Sequence, residues 1–478
     1  MKKTACILLA LLMLLSLAAC KGKDPASPDV TSAPETTLAP GVTAEPYVGS
    51  HAYDPETDFD QKLGMNGNFA SVFEMEDVYY WLPYDDPYIR YCEKDGSDYG
   101  VVCGKPDCVH DNGNSISYHR EKNCNGYVGS VRAYMWLEDS KIYFVNDYEY
   151  VRDRTNCGVI VRMDPDGTNK EVVKNIPKPQ TPYGEGLSPQ SFCYHRGMLY
   201  SFVFGGSIEE GEPSQPFLAM AFPLDGDEWI TLYDSGRDFH WGSVMPVGDY
   251  CYITDRAWAY ADPSILEDDY YDGEVVLSRS ERILLRWCSV TGEIEELYRG
   301  DEVSLYRYWI DEDGNFYTEG APADGEGRDS LLRLNNGAWE EVLNFDDPDI
   351  NYTIRSISDG IVIARNYVPY DRDYYNKYGE NPDIDIWIKR FDGSTVYKGK
   401  LPMAWLETME ETPLLDGARL FCGDENGLLC IFNAEKRTSD RSNEPQSYVL
   451  VRYVITDGEI EEIFLGKTYQ AIIGDWNW

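Results

Sequence analysis

The sequence predicts an all-β β-propeller of seven four-stranded blades, with six or eight blades as the alternatives. The chain has 478 residues, too many for one ordinary compact core unless the architecture is a repeat. A hairpin signature recurs seven times: an apolar run, a tight turn ending in glycine, and a second apolar run. Such turns reverse a strand easily because glycine accepts positive φ. The seven turns are Lys94-Asp95-Gly96, Pro165-Asp166-Gly167, Leu224-Asp225-Gly226, Val290-Thr291-Gly292, Asn335-Asn336-Gly337, Phe391-Asp392-Gly393 and Thr456-Asp457-Gly458.

Blade two shows the repeat most clearly. Its strands are expected at residues 131–138, 141–146, 158–163 and 170–176, and four short antiparallel strands in sequence make one blade. We expect the tail, residues 468–478, to add a strand to blade one and close the ring, which removes exposed sheet edges. The other blades are expected at about 70–103, 191–233, 243–298, 303–345, 352–401 and 415–465.

The N-terminus has the pattern of an export signal. Lys2 and Lys3 precede an apolar stretch at 7–17 that is too short for a permanent membrane span. The stretch ends in Leu17-Ala18-Ala19-Cys20, which resembles the lipobox of bacterial lipoproteins. That resemblance implies that residues 1–19 are removed and that the Cys20 thiol carries a lipid. We therefore expect a protein anchored in the cell membrane on its extracytoplasmic face. The alternative is an ordinary secretory signal.

Residues 20–48 form the predicted tether between this lipid anchor and a propeller at 49–478. Five prolines interleaved with Ser, Thr, Ala and Gly leave too little apolar surface for a folded core. These prolines are Pro25, Pro28, Pro34, Pro40 and Pro46.

The formal net charge of the chain is −41, and charges cancel in the first 50 residues, so the propeller carries the excess. A body this acidic repels nucleic acid and anionic lipid headgroups, so we expect no nucleic-acid partner. The charge fits a soluble, exposed protein, and it also fits a cationic ligand or a Ca²⁺ ion.

Residues added to the repeat fall between the second and third strands of blades one, two, four and six. In an up-and-down blade these connections share one face of the ring. They are rich in tyrosine and aspartate, a combination that stacks on sugar rings or peptide side chains and accepts hydrogen bonds. The alternative is that they only solubilise the protein. The predicted ligand-binding residues are Tyr84, Tyr88, Tyr148, Tyr150, Trp258, Tyr260, Tyr270, Tyr271, Tyr370, Tyr374 and Tyr375.

A cysteine-rich insert at 103–127 follows blade one. Cys103, Cys108 and Cys124, with His110, match the ligand types of a closed tetrahedral zinc site. A disulfide, Cys103–Cys108 or Cys108–Cys124, fits an exported protein equally well, and reduced thiols are the third alternative. In each case the expected role is structural, because a closed site has no open position for chemistry. Most other cysteines lie singly in apolar strand contexts, as expected of small buried side chains.

Two resemblances accompany these motifs. Residues 160–169 resemble the hairpin of TolB-type propeller repeats. The motif Cys-Gly-Lys-Pro-Asp-Cys-x-His resembles an insert of uncharacterised surface lipoproteins of clostridia, whose propellers are of the TolB-like or low-density-lipoprotein-receptor-related type. The resemblance implies a lipid-anchored propeller and implies no activity.

No nucleophile elbow, phosphate loop, metalloprotease helix or dinucleotide fingerprint occurs in the sequence. His195 and His240 lie near strand edges, where satisfied structural histidines are expected. The sequence therefore predicts a binding or scaffold module for a glycan or peptide, more readily than an enzyme. The alternatives are an extracellular carboxylate-dependent glycoside hydrolase or lyase and an envelope scaffold for protein–protein contacts. No motif specifies an oligomeric state.

Overall fold

The chain forms a ring of seven antiparallel sheets, so the predicted seven-bladed β-propeller is confirmed. The computed structural model describes residues 49–59, 64–65, 68–82, 88–108, 124–128, 134–146, 155–183, 187, 189–204, 216–236, 239–260, 277–305, 307–320, 330–358, 360–366, 383–409, 414–435 and 446–468.

The described strands follow the chain in order, blade by blade. Those of blades one to four are β1 (Gly64–Met65), β2 (Asn68–Glu74), β3 (Val78–Leu82), β4 (Arg90–Glu93), β5 (Tyr99–Val101), β6 (Met135–Glu138), β7 (Lys141–Asn146), β8 (Asn156–Met163), β9 (Glu171–Pro177), β10 (Cys193–His195), β11 (Met198–Phe204), β12 (Phe217–Pro223), β13 (Ile230–Asp234), β14 (Phe239–Val247), β15 (Tyr250–Tyr260), β16 (Leu277–Cys288) and β17 (Ile294–Gly300). Those of blades five to seven are β18 (Tyr308–Ile310), β19 (Phe316–Gly320), β20 (Ser330–Asn335), β21 (Ala338–Asn344), β22 (Tyr352–Ser358), β23 (Ile361–Asn366), β24 (Asp385–Arg390), β25 (Thr395–Lys400), β26 (Leu414–Asp424), β27 (Gly427–Glu435), β28 (Gln446–Thr456) and β29 (Glu459–Lys467). A short 3-10 helix, Ala404–Thr408, joins blades six and seven.

Each blade is an antiparallel meander whose fourth strand lies at the outer edge. Fourth strands such as β17 and β25 alternate mostly between exposed and half-buried residues, whereas the inner strands β12 and β23 are almost wholly buried. The meander directs first-to-second and third-to-fourth turns to one face of the ring, here called the turn face. The second-to-third connections leave on the opposite face, here called the loop face.

Packing between neighbouring blades closes the ring. Apolar clusters bridge each successive pair of blades, and one of them joins Val72, Trp81 and Cys92 of blade one to Ile431 and Leu450 of blade seven. Strands β2 and β26 also lie in contact, as do β5 and β29. In the closed ring each sheet is covered on its faces by its neighbours, and its edges are left only at the centre and the rim.

The predicted strands agree closely with the structure in blade two and less closely where the ring closes. Strand β7 has its predicted bounds, and β6 is shorter than expected. A fifth strand does join blade one, as predicted for the tail. This strand is β1, which precedes β2 in the chain and pairs with it. Residues 469–478, predicted to supply a closing strand, lie outside the described residues.

Six of the seven predicted turn glycines adopt the left-handed conformation. Their φ values lie between +73° and +85°, and Gly226 is the exception. Local turn chemistry therefore sets the third-to-fourth hairpin in almost every blade.

The predicted signal, the Cys20 lipidation site and the tether lie at residues 1–48, outside the described residues. Within the described ranges, no helix has the length and apolar character needed to cross a membrane.

Candidate functional site

Three cysteine thiols converge in the insert that follows β5. The Sγ atoms of Cys103, Cys108 and Cys124 all lie within 4.8 Å of one another, and we call these residues the thiol cluster. Among the described residues it is the single group of three or more potential metal ligands. No disulfide joins any of the ten cysteines in the described ranges. The predicted fourth ligand, His110, lies outside them.

The insert is held against the hairpin of blade two that spans residues 164–170, here called the blade-two turn. The carbonyl oxygen of Gly167 accepts hydrogen bonds from the Gly104 backbone N–H at 3.2 Å and from Asn125 Nδ2 at 2.6 Å. Gly104 follows Cys103 and Asn125 follows Cys124, so one acceptor positions two arms of the thiol cluster. Gly167 has φ +76°, and a Cβ there would lie 2.5 Å from the Cys103 Cα. Glycine is therefore required at 167 for its conformation and for this close approach.

A half-buried lysine binds the other side of the insert. Lys170 Nζ donates to the carbonyl oxygens of Tyr127 at 2.8 Å and Cys124 at 3.4 Å, and lies 5.2 Å from the centre of the Phe144 ring. Burial lowers the pKa of Lys170 to about 8. Sequence reasoning missed this residue, because its partners lie more than 40 residues away and no local pattern marks the contact.

A small apolar cluster surrounds the thiols. Cys124 is 1% exposed and packs with Tyr88, Val101 and Tyr127. Burial raises the pKa of the Cys124 thiol, and the neighbouring Cys103 and Cys108 raise it further. Three ionisable sulfurs in one desolvated place disfavour negative charge unless a cation neutralises it.

Tyr88 was predicted to bind ligand from an exposed loop, and the structure places it inside this cluster. It is 5% exposed, forms an antiparallel bridge with Tyr127, and its ring centre lies 5.8 Å from that of Tyr127. Its described contacts are those of a packing residue of the insert.

Two of the other predicted ligand-binding residues lie in a strand and not in the second-to-third connection where they were expected. Trp258 and Tyr260 lie on the backbone of β15, which pairs with β16 as far as Leu277, so the blade-four strands are longer than expected. The remaining predicted residues lie outside the described ranges: Tyr84, Tyr148, Tyr150, Tyr270, Tyr271, Tyr370, Tyr374 and Tyr375.

Two described aromatic residues stand at the loop face, and sequence reasoning did not select them. Phe204 ends β11, and Trp241 lies near the start of β14, so both occupy strand ends at that face. Their rings stack with centres 5.0 Å apart, and Trp241 is 54% exposed. The pair forms a partly exposed aromatic platform.

A buried polar triad joins blades three and four beside the same face. His240 Nδ1 lies 2.8 Å from Asp255 Oδ1, and Tyr233 donates its hydroxyl to Asp255 Oδ2 at 2.7 Å. Burial raises the pKa of Tyr233, and the Asp255 carboxylate adds to the shift. Asp255 lies in β15, where pairing with β14 sets it beside His240.

Another buried carboxylate, Glu319 of β19, is also engaged. Arg307 NH1 donates to Glu319 Oε1 at 2.8 Å and to the Ile354 carbonyl at 3.3 Å. Each of these two buried acids therefore has a hydrogen-bond donor or a cationic partner.

Residues 49–59, here called the strap, cross the turn face over blades three to five. Phe59 N–H donates to His195 Nδ1 at 2.8 Å, and His195 Nε2 lies 2.6 Å from the Gly248 carbonyl. Arg196 binds Asp58 and Asp249, each at 2.5 Å. Both ring nitrogens of His195 are thus used in structural hydrogen bonds.

Comparison with known proteins shows similarity at the level of overall architecture. No family model matches the chain, and no curated protein matches it. Oligogalacturonate lyase from Vibrio parahaemolyticus is 11% identical, with a TM-score of 0.36. The match covers 82% of this chain and 86% of the lyase chain. TolB from Acinetobacter baumannii is 10% identical, with a TM-score of 0.31 and coverage of 83% and 82%. A computationally designed protein is 8% identical, with a TM-score of 0.37 and coverage of 84% and 98%. These similarities give no evidence about activity. The propeller fold is established by the seven sheets of this chain.

Proposed function

We propose that the chain is a membrane-tethered, extracytoplasmic propeller that binds a glycan or peptide ligand through its loop face. The observation that carries this proposal is the shared direction of the second-to-third connections. Seven antiparallel meanders in one ring bring them to a single face, and the Tyr/Asp-rich connections of blades one, two, four and six are among them. Loops held by a rigid scaffold are the usual place for recognition.

The aromatic platform of Phe204 and Trp241 supports the same chemistry. An indole that remains 54% exposed while stacked on a second ring offers a flat apolar surface with one N–H donor. Sugar rings and aromatic peptide side chains stack on such surfaces, and neighbouring carboxylates accept their hydroxyl or cationic groups. The acidic body further favours neutral or cationic ligands over anionic ones.

Binding variants test the loop face. The full chain is screened on an array of defined oligosaccharides and peptides, and the affinity for each hit is measured for Trp241→Ala, for Tyr270→Ala with Tyr271→Ala, and for Tyr374→Ala with Tyr375→Ala. We expect at least one variant to bind about tenfold more weakly, the size of a lost stacking contact of about 1.4 kcal/mol.

The matched control is Tyr53→Ala, which removes a 40% exposed tyrosine from the strap on the turn face. It should bind like the unmodified chain. Unchanged binding in all the loop-face variants contradicts the proposal. Cleavage of an arrayed oligosaccharide instead identifies the alternative, a glycoside hydrolase or lyase, whereas binding of envelope proteins alone identifies a protein–protein scaffold.

Membrane attachment through Cys20 is tested separately. Cells are fed a fatty acid that carries a chemical handle, and we expect label on the unmodified chain together with its recovery in the membrane fraction. Cys20→Ala should lose both, because stable anchoring needs the lipid chains. Cys6→Ala is the control, since Cys6 lies in the segment expected to be removed. A label that survives in Cys20→Ala rules out this anchor.

A further inference from the structure

We propose that Cys103, Cys108 and Cys124 are thiolate ligands of one structural zinc ion, at the outer edge of the junction between blades one and two. Nothing in the proposed binding function requires this site. Tetrahedral zinc with Zn–S bonds of about 2.3 Å places its sulfur ligands about 3.8 Å apart, and the three Sγ atoms already lie within 4.8 Å of one another.

The number of sulfurs distinguishes zinc from a disulfide. A disulfide uses two thiols and leaves the third beside it, whereas a single zinc ion binds all three. Soft thiolate ligands favour zinc, copper(I) or iron–sulfur clusters among biological metals. Iron–sulfur clusters ordinarily take four cysteines, and this insert offers three.

The chain around the thiols is positioned by contacts that do not involve the metal. The Gly167 carbonyl receives the Gly104 N–H and the Asn125 side chain, so the residues following two of the ligands are bound to one atom. Lys170 holds the carbonyls of Cys124 and Tyr127. Its ammonium group also places positive charge beside thiolates that would carry a net negative charge around zinc. Each thiol that binds the ion releases its proton to solvent.

The zinc would hold together the two ends of an insert that packs between two blades of the ring. The insert belongs to the connection after β5, and the blade-two turn belongs to the next blade. Because a bound metal stabilises only the folded arrangement, its binding free energy adds to the stability of this junction.

Metal analysis of the purified full chain tests the site. The protein is extracted in detergent, kept away from chelators and metal-affinity resin, and analysed for zinc, copper and iron. We expect one zinc per chain in the unmodified protein and at least a tenfold loss in Cys108→Ala. Cys288→Ala is the matched control: it removes a buried cysteine of β16 remote from the cluster in sequence and should keep its zinc.

A second measurement covers the case in which Cys108→Ala does not fold. The unmodified chain is alkylated under native conditions with and without a zinc chelator, and modification of Cys108 is followed by peptide mass spectrometry. Cys108 is partly exposed, so we expect its alkylation to rise at least tenfold when zinc is removed. Zinc below a tenth of an ion per chain, a disulfide within the cluster, iron or copper in its place, or full zinc retention in folded Cys108→Ala each overturns the assignment.

Discussion

The junction between blades seven and one and the junction between blades one and two are packed differently. Where blade seven meets blade one, the outer strand β29 has nine residues, and the carbonyl of Phe464 lies directly against Gly96 of the blade-one turn. Where blade one meets blade two, the outer strand β5 has only three residues. There the blade-two turn packs against Cys103 and Gly104 of the insert instead.

The comparison shows what the insert does. It occupies the place that a longer outer strand takes at the closing junction, and it presents backbone to the same kind of left-handed glycine turn. A strand holds its shape through ladder hydrogen bonds, whereas the insert has few apolar residues and relies on Gly167, Lys170 and the thiol cluster. Of the departures from the repeat, this one therefore stabilises the ring, while the recognition that we propose belongs to the loop-face connections.

Of the changes predicted for the two junctions, glycine substitutions should have the largest effect on the free energy of unfolding. Gly167→Ala and Gly96→Ala combine positive φ with a close approach to backbone atoms, so we expect each to lower the free energy of unfolding by about 2–5 kcal/mol. Gly458→Ala is the control: its φ is +80°, but among the described residues no atom beyond its two chain neighbours lies within 4 Å of the added methyl group. It should cost about 1–2 kcal/mol. Denaturant unfolding compares the three variants, and equal losses would mean that turn strain alone matters.

Zinc removal should destabilise the junction of blades one and two and leave the closing junction unchanged. A chelator is expected to lower the thermal midpoint of the unmodified chain by about 5 °C, because it withdraws binding free energy from the junction of blades one and two. Proteolysis should then begin within the insert. Folded Cys108→Ala should not respond to the chelator, and Cys288→Ala should respond like the unmodified chain. A midpoint that does not move would show that the hydrogen bonds to Gly167 suffice.

The strap extends the comparison to a third contact, with a smaller effect that depends on pH. Burial lowers the pKa of His195 below 6.5, although the Gly248 carbonyl and Asp58 oppose the shift. A lowered pKa means that the folded strap prefers the neutral imidazole. Its stability is therefore complete above about pH 6.5 and falls as the pH drops below that value. Protonation also converts Nδ1 from the acceptor of the Phe59 N–H into a donor.

Hydrogen exchange of the Phe59 amide measures this effect. After correction for intrinsic rates, we expect about tenfold weaker protection at pH 5 than at pH 7, equivalent to about 1.4 kcal/mol. The Thr468 amide, which donates to the Tyr448 carbonyl at the closing junction, should keep its protection. His195→Gln should remove most of the pH dependence, and what remains would belong to His51, whose pKa is also lowered by burial. Equal loss at Phe59 and Thr468 would point to global acid unfolding.

The propeller fold could be predicted because the residues that specify each hairpin are close together in the sequence. An Asp-Gly or Asn-Gly turn between two apolar runs specifies a hairpin within about ten residues, and seven repeats leave few architectures. Strand β7 and six of the turn glycines follow these expectations. The contact between Asp255 and His240 could not be predicted, because the two residues meet only through the pairing of β14 with β15.

The sequence by itself determined the repeat, the ligand types of the insert and the connections that carry extra aromatic residues. Only the tertiary structure decided which of these residues meet. Asn125 binds the Gly167 carbonyl 42 residues away, and the contact exists because two blades pack side by side. Tyr233 of blade three likewise reaches Asp255 of blade four only because the two blades pack together. Turn and strand preferences act over a few residues, whereas contacts between blades depend on closing the whole ring.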